Sequence, residues 1–181
     1  MKVEPCAIAD VLLLEPKVFS DARGFFFESY NRRSFAQATG LEVEFVQDNH
    51  SRSARNVLRG LHYQIRQPQG KLVRVTAGEI WDVAVDLRRA SPSFGRWIAT
   101  KLDAEARRML WIPAGFAHGF VVLSEQAEVL YKSTDYYAPE HERTLLWSDP
   151  ALAIDWPLAG TPLMTDKDRR GTPLAGAETF A

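Results

Sequence analysis

Two neighbouring stretches of this chain, Gln47-Asp-Asn-His-Ser51 and Val57-Leu-Arg-Gly-Leu-His-Tyr-Gln64, crowd amide, acid, imidazole and guanidinium together. Histidine is the side chain whose unperturbed pKa, about 6.5, suits it to taking a proton near neutral pH, and His62 lies in the second of these stretches. Arg59 stands among Leu58, Leu61 and Tyr63, and a buried charge there needs a partner. For any one of these residues the plainer reading is an ion-pair network on a sheet face; the whole cluster points to a site. A third stretch, Trp111-Ile-Pro-Ala-Gly-Phe-Ala-His-Gly-Phe120, delivers His118 after a tight turn. A fourth, Glu128-Val-Leu-Tyr-Lys-Ser-Thr-Asp135, puts Tyr131 on the strand face of Val129 and Ser133, with Leu130 and Lys132 opposite. A lone strand tyrosine is more often a packed core residue than a catalyst, and the pattern alone does not decide this case.

Short strands must position these groups. Ile8–Leu14, Phe25–Tyr30, Val43–Val46, Leu72–Val75, Ile80–Leu87, Trp97–Leu102, Met109–Ile112, Gly119–Leu123 and Glu128–Thr134 are rich in β-branched and aromatic residues and are separated by turn formers. One helix is predicted over Arg32–Thr39, with Asn31 as N-cap and Gly40 at the C′ position. Ala104–Arg107 is at most a turn, and the Gly- and Pro-rich tail from Pro157 is expected to be irregular and to wrap the surface. Many short strands with little helix predict an all-β sandwich or closed barrel with a few short helices, of which the jelly roll is one solution. At 181 residues, with no repeat or linker, the chain reads as one domain, residues 1–181.

Composition excludes several function classes. A formal net charge of -1 gives no global field for nucleic acid or an anionic membrane, so any anionic ligand must be met by local arginines and lysines. The single cysteine, Cys6, cannot form an internal disulfide and is expected to be an inert thiol in a reducing compartment. The N-terminal apolar stretch is preceded or interrupted by Glu4 and Asp10, which is no signal peptide, and a cytoplasmic location is expected. No Gly-rich phosphate motif suggests a nicotinamide or flavin.

The Pro-x-Gly-x-x-His pattern ending at His118 resembles the second motif of the cupins, whose metal-binding members take two more histidines and a glutamate from a first motif. At the corresponding place this chain reads His62-Tyr-Gln64, with Gln64 in place of the second histidine. His62 and His118 alone are too few to hold a divalent ion firmly. The expectation is a cupin barrel with no metal and no cofactor.

Further blocks, in order, are similar to the dTDP-4-dehydrorhamnose 3,5-epimerase family: Phe19–Glu28, Gln47–Ser51, Val57–Gln64, Gln69–Val75, Trp111–Phe120, Ala127–Lys132, Trp147–Pro150 and Ile154–Pro157. The resemblance runs from about Ile8 to Asp168. It implies a cupin jelly roll that epimerises C3 and C5 of a dTDP-4-keto-6-deoxy sugar and forms a homodimer, N-terminal residues completing the neighbour's site. It implies His62 as base, Asp168 as its supporting carboxylate (Asp166 being the near alternative), Tyr131 as acid and Lys71 beside the C4 oxygen. Arg23, Glu28, Gln47, Asp48, Asn49, Arg59, His118, Glu142 and Lys167 are implied to hold nucleotide and sugar, and Tyr137 to stack on thymine. Competing expectations are a C3-only or C5-only epimerase, a ketoisomerase, or a sugar-binding cupin without activity. Retention of both His62 and Tyr131 favours the double epimerase, and the last reading predicts loss of that pair.

Overall fold

Two antiparallel sheets facing each other across an apolar interior organise the computed structural model, which describes residues 1–181. One sheet joins β1 (Lys2–Pro5), β2 (Leu12–Glu15), β10 (Met109–Ile112), β7 (Lys71–Ala77), β12 (Gln126–Ser133) and β5 (Gln47–Ala54), in that order. The other joins β13 (Glu142–Thr144), β6 (Leu58–Gln64), β11 (Phe116–Val122), β8 (Glu79–Asp86) and β9 (Trp97–Asp103). A separate hairpin pairs β3 (Phe19–Asp21) with β4 (Gly24–Phe26). This is the all-β jelly roll that the cupin resemblance implies.

The period-two rule explains the interior. Val73 and Val75 of β7, Leu110 and Ile112 of β10 and Val129 of β12 meet Ile80 and Ala84 of β8 and Phe120 and Val122 of β11. The five-stranded sheet is also covered on its outer face, where Leu61, Val83 and Val85 pack with Leu145, Leu152 and the late residues Trp156 and Phe180. That double burial leaves β8 almost wholly buried along its length, Asp82 and Asp86 included. Outside the six-stranded sheet, Phe35 of α1 (Arg32–Thr39) sits edge-on to Trp111, with centroids 5.7 Å apart.

Local chemistry made α1 legible. The Asn31 side chain accepts from the amides of Arg33 and Ser34, and Gly40 takes the left-handed conformation at φ 73°. Some strands lie elsewhere than the apolar runs predict. Val43–Val46 forms no strand; Val43 and Phe45 pack as loop residues beside Phe35. The strand in this region is β5, whose polar sequence carries no hydrophobic signal and which is held by register to β12 from Gln47↔Ser133 to Ala54↔Gln126. Ile8 and Val11 lie in the turn before β2, and only Phe25 and Phe26 of Phe25–Tyr30 are in strand. The tail, predicted irregular, contains the helix α2 (Asp166–Arg169) and a 3-10 turn at Leu174–Gly176. No helix is long and apolar enough to cross a membrane.

Candidate active site

A cavity of about 540 Å³ opens at one end of the sandwich, with side chains from both sheets on its walls. From the five-stranded sheet come Arg59 and His62 of β6 and His118 of β11; from the six-stranded sheet come Asn49 of β5, Lys71 of β7 and Tyr131 of β12. Alternation accounts for several of these. Lys71 shares its face with Val73 and Val75, and His118 shares its face with Phe116 and Phe120. Arg59 and His62 are three apart and would face opposite ways on a regular strand. The β6–β11 register shifts between His118 and Phe120, at Gly60, so both side chains reach the cavity. Gly60 has φ 112°, and a Cβ there would meet the His118 carbonyl oxygen at 2.6 Å, so only glycine serves.

The strongest contact is the 2.6 Å hydrogen bond from His62 Nε2 to Asp168 Oδ1. Asp168 comes from α2, whose Thr165 N-cap oxygen accepts from the Asp168 amide at 3.3 Å. Burial pushes the Asp168 carboxyl up, but the His62 hydrogen bond and charge, with Gly60 N–H and Thr165, outweigh it and hold it below the usual range. Asp166 turns outward and pairs with Arg169, so Asp168 is the carboxylate that reaches His62. The bond to Asp168 fixes the ring and leaves the other nitrogen for a ligand.

Lys71 is buried, and its ammonium has only a long 3.5 Å contact to the His62 carbonyl. Desolvation lowers its pKa to about 8, against the pull of Asp82 and Glu142. Burial raises the Tyr131 phenol, which keeps it protonated. Arg59 Nε donates to Ser53 Oγ at 2.9 Å. His118 Nε2 lies 2.9 Å from Asp82 Oδ1, both groups being buried. At the rim, Glu142 accepts from Tyr137 OH at 2.9 Å and from Lys167 Nζ at 2.7 Å. Burial raises the Glu142 carboxyl, but these two bonds and the nearby His62 bring it below its ordinary value.

Gln47 stands at the same rim, accepting from the Tyr137 amide at 2.9 Å and donating to Asn49 at 2.9 Å. Three predicted residues are not brought to the cavity within one chain. Asp48 points from the other face of β5 and pairs with Lys132 at 2.9 Å. Arg23 lies on the β3–β4 hairpin, paired with Asp21, and Glu28 accepts from Asn31 and Ser34 beside α1. No three His, Cys, Asp or Glu side chains converge as a metal set. Three site partners escaped the sequence reading: Asp82, Ser53 and Thr165. Asp82 carried a signal, since a carboxylate on a strand otherwise patterned for burial demands a partner.

The model of the dTDP-4-dehydrorhamnose 3,5-epimerase family matches residues 5–176. The chain belongs to that family. The family member from Pseudomonas aeruginosa is 67% identical over 180 residues, covering 99% of each chain. Among solved structures, the dTDP-6-deoxy-D-glucose-3,5-epimerase of Legionella pneumophila in complex with dTDP-4-keto-L-rhamnose superposes with TM-score 0.95 at 48% identity, covering 98% of this chain and 94% of that one. A 3′-monoepimerase from Streptomyces bikiniensis in complex with dTDP-quinovose superposes with TM-score 0.89 at 36% identity, covering 97% and 88%. The structural neighbours of this chain thus include epimerases named for two carbons and for one.

Proposed function

We propose that this family member epimerises both C3 and C5 of a dTDP-4-keto-6-deoxy sugar, producing dTDP-4-dehydro-L-rhamnose. The observation that carries the reading is the origin of the two proton-transfer groups: His62 comes from one sheet and Tyr131 from the other, across a single cavity. Inversion needs proton removal on one face of the sugar and return on the opposite face, which one group cannot do alone. In this reading His62, held by Asp168, removes the proton beside the C4 ketone. Charge moves onto the ketone oxygen, where the Lys71 ammonium stabilises the enolate. Tyr131 gives a proton to the opposite face, and the cycle repeats at the second carbon. Arg59 and Lys167 meet the diphosphate, His118 and Asn49 hold the sugar, and Tyr137 stacks on thymine.

Arg23 and Glu28 enter the same reading through a homodimer, in which they complete the partner's site. Their distance from the cavity supports this, as does the exposure of Phe19, Phe25 and Phe26, at 54%, 57% and 72%. Sedimentation at micromolar concentration should give twice the chain mass. The decisive experiment is proton exchange with dTDP-4-keto-6-deoxyglucose in heavy water. Both C3 and C5 should take up deuterium with inversion. The one-carbon neighbour favours a second reading, which is chosen if only C3 exchanges. His62→Ala should abolish exchange, whereas Tyr131→Phe should retain exchange with little net inversion. Equal silence of the two variants, with the fold intact, would remove the separation of roles.

A further inference from the structure

Gln64 ends β6 as a residue only 3% exposed, and both polar atoms of its amide group bond to backbone. Its Nε2 donates to the carbonyls of Gln67 at 2.8 Å and Tyr136 at 3.1 Å. Its Oε1 accepts from the Ala138 amide at 2.9 Å. Gln67 lies just beyond β6, whereas Tyr136 and Ala138 lie between β12 and β13 and flank Tyr137, a residue 54% exposed at the rim. Gln47 grips the same segment from β5 through the Tyr137 amide, so three consecutive residues of an otherwise irregular stretch are fixed. Across the β6–β13 register Gln64 faces Glu142, which accepts from the Tyr137 hydroxyl.

We infer that Gln64 is a positioning residue, which clamps the backbone on both sides of Tyr137 so that the ring is ready for the nucleotide base before substrate arrives. This rests on the reading of Tyr137 as the thymine platform and deepens it. The amide is the side chain that fits: two carbonyls need donors and one N–H needs an acceptor. A carboxylate offers acceptors only, and an imidazole has two ring nitrogens for three partners. Gln64 therefore does more than vacate a metal position. A ring already held loses less conformational freedom on binding, by about 0.5–1.5 kcal/mol for one ordered side chain, which is a factor of about 2–10 in affinity.

The test is calorimetric titration of the full chain with dTDP, using Gln64→Glu and the similarly shaped but apolar Gln64→Met. Each variant should bind dTDP about 2–10-fold more weakly and raise KM, while kcat moves less. In a Tyr137→Ala background, adding Gln64→Glu should change dTDP affinity no further, because the clamp acts through that ring. Equal losses in the two backgrounds would overturn the inference and leave Gln64 a general structural prop. Amide exchange of the free protein gives a readout independent of the nucleotide: the Ala138 N–H should exchange faster in both variants. Unchanged Ala138 exchange overturns the clamp itself. If Tyr137→Ala binds dTDP like wild type while the clamp variants show faster Ala138 exchange, the stacking assignment fails, and positioning for the base fails with it.

Discussion

Replacing Lys71 with methionine should move stability and activity in opposite directions. Lys71 is 8% exposed as a residue, and desolvation brings its pKa from 10.5 to about 8. At about 1.4 kcal/mol per pKa unit, the gap is worth about 3 kcal/mol of unfavourable burial. The sign follows from proton binding. Between about pH 8 and 10.5 the unfolded lysine holds a proton that the folded one has released, so wild-type stability rises with pH across that window. Below about pH 8 the whole penalty is present. Lys71→Met keeps a flexible chain of similar size and removes the charge, sacrificing the 3.5 Å contact to the His62 carbonyl and the attraction to Asp82 and Glu142, which the net pKa already contains. Urea unfolding at pH 7 should show the variant more stable by up to about 3 kcal/mol, with the advantage fading towards pH 10.5. Turnover should fall about 10²–10³-fold, the usual cost of losing one donor to a developing oxyanion. In wild type, kcat/KM should decline above about pH 8 as the ammonium of the free enzyme deprotonates. A variant that is no more stable at pH 7, with the wild-type slope between pH 8 and 10, would refute the desolvation argument. A variant that keeps wild-type turnover would refute the enolate role.

Asp168→Asn should lower kcat by at least about 10²-fold, since it replaces a charge-assisted bond worth about 1.5–3 kcal/mol and disturbs the His62 tautomer. Asp166→Asn should leave steady-state rates within a few-fold, and a reversal of that order would reassign the carboxylate. Ser53→Ala should raise KM several-fold with little change in kcat, because it frees the Arg59 guanidinium that Ser53 orients; a pure kcat loss would contradict the assignment. Activity should persist in excess chelator, Gln64 standing where metal cupins place a histidine; loss restored by a divalent ion would overturn the metal-free expectation.

What could be read in the sequence was local. The α1 caps announce themselves in Asn31 and Gly40, and the inward set of β12, Val129, Tyr131 and Ser133, follows from alternation. β5 could not be read this way: one of its faces meets solvent and the other lines a polar cavity, so neither supplies apolar periodicity. The bulge at Gly60 was equally hidden, because a register shift depends on the partner strand. Only family resemblance paired His62 with Asp168, since a 106-residue separation carries no local pattern. The choice between Asp166 and Asp168 needed the direction of a four-residue helix, which two positions in a Gly- and Pro-rich tail do not reveal.

That separation has a consequence for how the protein becomes active in time. Every strand of both sheets is complete by Thr144, whereas Asp168 arrives later, on α2. At translation rates of about 5–20 residues per second, Asp168 leaves the ribosome's catalytic centre about 5–20 s after His62, over their 106-residue separation. Throughout that interval the nascent histidine lacks its carboxylate. A chain cut just before Thr165 keeps the residues of all thirteen strands but loses the dyad, Lys167 at the rim and the cover that Ala177 and Phe180 give the five-stranded sheet. The last residues to be made thus finish both the outer cover of the five-stranded sheet and the catalytic dyad, so that fold and catalyst are completed together.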